Sequence, residues 1–90
     1  MNLSDKVAIP VQVLARQVGE ETVILDLASG TYFGLDPVGA RIWQLLTAGK
    51  TLAETCAALL AEYDVSTENI ERDVLTLVEE LRAKQLISVD

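Results

Sequence analysis

The residues able to do covalent or metal chemistry in this chain are few: one cysteine, Cys56, no histidine, and 14 carboxylate side chains. Without histidine, neither a Cys/His nucleophile pair nor a Cys/His metal site can be assembled, and a lone cysteine forms no internal disulfide. Aspartate and glutamate remain as acid–base groups, yet no pair stands in a recognisable catalytic context. The expectation is a protein with no catalytic residue, no metal and no cofactor. Cys56 falls on an apolar helical stripe, where a buried structural thiol is the expected role.

If the chain does no chemistry of its own, its charge and its surfaces must carry the function. Seven Lys and Arg stand against 14 Asp and Glu, a formal charge of -7 in 90 residues. That balance opposes a phosphate-backbone binder, which gains affinity by setting cations against phosphates. Half of the acids, Glu62, Asp64, Glu68, Glu71, Asp73, Glu79 and Glu80, cluster in a short stretch of the C-terminal third. A mean hydropathy of +0.29 excludes a disordered acidic tail. No run of about 18 uncharged apolar residues predicts a membrane span, and Met1–Lys6 do not read as a signal peptide. The expected setting is a single cytoplasmic domain over residues 1–90, with no membrane and no nucleic acid as partner.

The elements that position these groups are punctuated clearly. Val11, Val13 and Ala15 alternate with Gln12, Leu14 and Arg16. A turn at Val18–Glu21 then leads to the β-branched run Thr22–Leu27. A second turn, Ala28–Thr31, precedes a short third strand, Thr31–Leu35. Asp36–Pro37 reads as an N-cap followed by proline at the first helical position. Val38, Ile42, Leu45 and Leu46 form the stripe of that helix, Trp43 is a core anchor beside it, and Gly49 ends it. Thr51 and Glu54 form a capping box for a second helix. Ser66 caps a third, whose stripe runs Ile70, Val74, Leu77, Val78 and Leu81. Leu86–Val89 is a closing apolar segment, strand or tail. The predicted class is α+β: an N-terminal three-stranded antiparallel sheet followed by three helices, with a winged helix-turn-helix outline.

That outline invites DNA, but a recognition helix needs cations or amides toward the groove. In the third helix Glu68, Glu71, Asp73, Glu79 and Glu80 oppose only Arg72 and Arg82. The third strand offers a different surface. Thr31–Leu35 contains no Lys or Pro to blunt an edge, so its free main-chain groups could accept a peptide as an added strand. The same pattern also suits a covered strand with Tyr32, Phe33 and Leu35 in the core. On the third helix Leu75 falls outside the core arc, beside the acidic rim, as an exposed residue would.

The run Val23–Leu27, then Gly30–Thr31–Tyr32–Phe33–Gly34–Leu35–Asp36 and Gly39–Leu46, resembles the PqqD-like family of peptide-modification chaperones. Glu71–Val74, Leu77, Leu81 and the closing Leu86–Ile87 resemble the same family's third helix and tail. The resemblance implies a RiPP recognition element, a domain binding the leader of a ribosomally made precursor peptide as an added strand. Carried over by position, Thr31, Tyr32, Phe33, Gly34 and Leu35 supply the strand edge. Asp73, Val74, Leu75 and Leu77 line a groove, and Glu71 and Asp73 face leader cations. The family often has Asn where Asp36 stands, and Gly where Gln85 stands.

The resemblance further implies processing enzymes as partners. Stand-alone members of lasso-peptide pathways present the leader to a leader peptidase and a cyclase, and the short length and Tyr-Phe-Gly-Leu form resemble that group. Members serving pyrroloquinoline quinone synthesis work with a radical enzyme. That role, a winged-helix DNA-binding domain and a structural subunit docking through its sheet stand as alternatives. Under strand addition, proline at Phe33 or Leu35, whichever N–H faces outward, is expected to block binding.

Overall fold

The computed structural model describes residues 2–89. In chain order the elements are β1 (Val7–Ala8), β2 (Val13–Val18), β3 (Glu21–Asp26), β4 (Tyr32–Leu35), α1 (Pro37–Thr47), α2 (Leu52–Glu62), α3 (Thr67–Ala83) and β5 (Ser88–Val89). The expected α+β class, with an antiparallel meander in the order β2-β3-β4 followed by three helices, is found. Two features lay outside the expectation. Val11 is not in a strand: the Pro10 carbonyl accepts from the Val13 N–H at 3.0 Å, closing a turn that leaves Val11 fully exposed. Strand β1 was not expected: Val7 and Ala8 pair with Val89 and Ser88, which makes the closing segment, expected as strand or tail, a strand.

The meander is built by its turns. Gly19, at φ +62°, opens the two-residue connection between the paired residues Val18 and Glu21. A left-handed first turn residue matches the twist of the flanking strands, and glycine adopts it without strain. At the other end Asp26 turns the chain toward β4. Its Oδ1 accepts from the N–H groups of Ala28 (2.8 Å) and Ser29 (3.3 Å), while its own N–H donates to the Thr31 carbonyl. Asp26 is buried, and these bonds replace the water its carboxylate gives up.

The helix ends are satisfied by neighbouring residues and, at the start of α2, by the N-terminal segment as well. Asp36 accepts from the Gly39 N–H at 2.7 Å, with Pro37 in the first turn. The Thr51–Glu54 box forms in both directions. The next two free N–H groups of α2, on Leu52 and Ala53, donate to the carbonyls of Asp5 and Leu3. The N-terminal segment thereby completes the cap that the box leaves open. Helix α1 ends in a Schellman arrangement, with Gly49 (φ +88°) donating to Leu46 and Lys50 to Leu45. Helix α3 ends the same way through Gln85 and Leu86, which donate to Arg82 and Leu81. Here the left-handed position, φ +60°, is held by Gln85.

The core lies between the inner face of the meander and the helices. Ile24, Leu46, Leu52, Leu59, Val74, Val78, Leu81 and Leu86 are fully buried, and Trp43 joins them as the sequence predicted. Cys56 is buried too, and desolvation pushes its thiol above the ordinary value, so the reactive thiolate is suppressed. Across the surface, Arg41 grips Glu62 at the end of α2 through two donors, at 2.9 and 2.8 Å.

Two predictions follow from the helix ends. A side chain at a left-handed C′ position costs about 1 kcal/mol. Gln85→Gly therefore raises thermal stability by up to that amount, measured as a higher unfolding midpoint; an unchanged or lower midpoint contradicts it. The second concerns acid. The Thr51 backbone N–H holds the Glu54 carboxyl below its ordinary 4.5, and the Arg41 guanidinium does the same for Glu62. Both bind protons less readily folded than unfolded. The stability they add is present above about pH 4.5 and is lost as pH falls through their lower folded values. The double variant Glu54→Gln, Glu62→Gln shows its deficit in melting temperature at neutral pH and converges on the parent in acid; parallel curves contradict the assignment.

Candidate functional site

Strand β4 lies at the edge of the three-stranded sheet, and which of its groups are free follows from the turn before it. Asp26 donates to Thr31 across the β3–β4 ladder, whereas Leu27 donates the other way, to the Gln12 carbonyl. In an antiparallel ladder such residues alternate strictly. Ile24 and Thr22 therefore bond to their partners Phe33 and Leu35, while Leu25 and Val23 turn toward β2. Their partners Tyr32 and Gly34 consequently direct N–H and C=O outward from the sheet. The free edge belongs to Tyr32 and Gly34, not to Phe33 or Leu35 as the proline test in the sequence reading supposed.

Beside this edge runs a groove of about 490 Å³. Phe33, Gly34 and Leu35 form one wall, Val38, Gly39 and Ile42 of α1 the floor, and Asp73, Thr76, Leu77 and Glu80 of α3 the far wall. Gly39 permits the close packing at its base: a Cβ there would sit 3.2 Å from both Asp36 Oδ1 and Leu35 Cδ2. The side chains of β4 alternate, so that Leu35 is buried and Phe33 half-buried on the helix side, while Tyr32 is 71% exposed on the outer face. A Cβ on Gly34 would meet open space. The groove thus combines apolar side chains with a row of unpaired main-chain groups.

The residues singled out from sequence fall into three sets. Phe33, Gly34, Leu35, Asp73 and Leu77 line the groove, and Tyr32 supplies an outward N–H and C=O at its margin. Thr31 precedes the strand; its carbonyl is taken by Asp26 and its hydroxyl by Ser29. The other three lie elsewhere. Val74 has no exposed surface and sits in the core, because the helical period turns it away from β4. Leu75, expected to be exposed, is half-buried against the core beside Arg72 and Glu79, off the groove. Glu71 is absent from the groove lining.

Sequence reasoning missed Glu80, Thr76, Val38 and Ile42. A usable signal existed for one: Asp73, Leu77, Glu80 and Lys84 are spaced i, i+4, i+7, i+11, which places them on one helical face. Lys84 caps α3, and its amine stands 6.0 Å above the Phe33 ring. Among the described residues there is no cluster of three or more His, Cys, Asp or Glu able to hold a metal, and no helix long and apolar enough to cross a membrane.

Known proteins place this geometry. One solved structure, of TbiB1 in complex with the TbiA(β) leader peptide, shares 43% identity and superposes with a TM-score of 0.81 over 88% of this chain and 92% of that one. A second, a lasso peptide synthetase B1 complexed with its leader peptide, shares 29% identity with a TM-score of 0.84 over 91% and 96% of the two chains. No curated protein matches the sequence. The family described as coenzyme PQQ synthesis protein D matches residues 21–87, from the start of β3 through the segment that leads into β5. With three-quarters of its length matched and the same sheet and helices, the chain belongs to the PqqD family.

Proposed function

We propose that this protein is a non-enzymatic recognition domain that binds the leader of a ribosomally made precursor peptide and presents it to processing enzymes. The observation that carries the reading is the free edge of β4 at an apolar groove. Tyr32 and Gly34 offer main-chain donors and acceptors, and the half-buried Phe33, Val38 and Leu77 offer apolar surface beside them, backed by the buried Leu35 and Ile42. An extended peptide laid along β4 gains ladder hydrogen bonds from its backbone, which are indifferent to sequence. Its alternate side chains enter the groove, where shape and charge select among sequences. The leader-bound structures of the two related proteins support this reading.

Of the pathways in which such domains serve, lasso-peptide biosynthesis fits best, because one of the two related structures is a lasso peptide synthetase B1. In that setting a leader peptidase and a cyclase act on the captured precursor. In this reading the covalent steps fall to those partners; among the described residues the one cysteine, Cys56, is buried in the core and takes no part in the groove. A DNA-binding role finds no support in α3, whose groove face carries Asp73 and Glu80 where a recognition helix needs donors.

The edge geometry gives a direct test. Gly34→Pro removes an outward N–H without touching the bonds to β3, and edge strands tolerate such a proline. It should weaken binding of the TbiA(β) leader peptide by about tenfold or more, since a buried peptide carbonyl loses its donor. Gly34→Ala keeps the N–H and points its methyl into open space, so its affinity should match the parent's. Equal affinity for both variants, with folding confirmed by circular dichroism, overturns strand addition. A second pair separates groove from core. Leu77→Ala should reduce affinity with little change in stability. Val74→Ala should cost about 2 kcal/mol of stability and leave affinity unchanged; the reverse outcome contradicts the groove assignment.

A further inference from the structure

The groove face of α3 is not evenly charged. Asp73 and Glu80 flank Leu77, and Lys84 follows Glu80 by one turn, the whole row covering about 16 Å at 1.5 Å per residue. Among the described residues the single ion pair is Arg41 with Glu62, so neither Asp73 nor Glu80 is in direct contact with a cation. Arg72, next to Asp73, donates instead to Asn69 at 2.8 Å. Asp36, the third acid of the lining, keeps its charge, but it sits at the positive N-terminal end of α1, where its side chain accepts from the Gly39 N–H. At the other end, Lys84 above Phe33 offsets Glu80. The negative potential is therefore concentrated on the Asp73 side of Leu77, against an apolar floor that weakens screening.

We propose that Asp73 is a specificity-determining residue that makes the groove select peptides with a Lys or Arg on one side of their apolar anchor. The inference rests on the strand-addition reading. Groove-facing side chains of an added strand recur every second residue, about 6.6 Å apart. With an apolar side chain seated against Leu77, the neighbouring groove-facing positions fall on either side of it. One reaches the unopposed Asp73 carboxylate and the other the offset Glu80–Lys84 end. A cation gains at the first position and little at the second. The charge demand is one-sided, so it also fixes the direction in which the strand lies, a property that the backbone ladder alone does not supply.

The test is selection of a randomised display library of short peptides on the 90-residue chain, run in parallel on Asp73→Lys, Glu80→Lys and Gly34→Pro. The parent should enrich peptides with an apolar residue and a Lys or Arg two positions away on one side only. The enrichment is expected to be about threefold to fivefold, the scale of an exposed ion pair. Asp73→Lys should replace that cation with Asp or Glu at the same position, whereas Glu80→Lys should leave it in place. Cations enriched equally on both sides, or no charge bias with apolar anchors still enriched, overturns the proposal and leaves strand addition standing. Enrichment that survives unchanged in Gly34→Pro overturns strand addition itself.

Discussion

The arrangement depends on one constraint: Tyr32 and Gly34 of β4 face outward, with no strand beyond them among the described residues. A hydrogen-bonding row of that kind is ordinarily blunted by charge, proline or a covering element. Here Tyr32 and Gly34 keep their groups free, and the nearest structure, α3, stands back far enough to leave a groove. The cost of exposing such an edge is the risk of pairing with unwanted strands. The four-residue length of β4 and the acidic wall opposite both limit it.

The rest of the molecule holds that edge and wall in place. Asp26 sets the phase of β4 through four hydrogen bonds at the turn, and this phase decides which residues present free groups. Asp36 ends β4 and starts α1 within one residue, so the groove floor is tied to its wall. The N-terminal segment reaches across to cap α2 through the Leu3 and Asp5 carbonyls, and β1 then pairs with β5 beyond the end of α3. Residues 3–8 and 88–89 are thereby tied to one another and to α2, and α3 is anchored through Val74, Val78 and Leu81 on the side away from the groove.

What the sequence made legible follows the range of the interactions. Caps and turns are local, and Asp36, Thr51, Glu54, Ser66, Gly19 and Gly49 all act where their types predict. The β1–β5 pair was not legible, because two residues at each end give no periodic signal and their partnership spans nearly the whole chain. The edge strand could be named, but not which of its peptide units face outward. That depends on the parity of the Asp26–Thr31 bond, which no side chain records. On α3 the hydrophobic period located the core, yet Val74 and Leu77 differ by three residues, a rotation of about 60°. That angle separates a core position from a groove position. Glu80 and Lys84 were readable from the spacing that begins at Asp73, once the face toward β4 is known.

The central claim is that the outward peptide units of β4 become the inner pairs of an extended sheet. Amide hydrogen exchange at single-residue resolution, with and without the TbiA(β) leader peptide, tests it most directly. Tyr32 and Gly34 should pass from rapid exchange to strong protection on binding, while Phe33 and Leu35, already bonded to β3, change little. Binding that leaves Tyr32 and Gly34 exchanging freely would contradict the account and place the peptide on another face of the molecule.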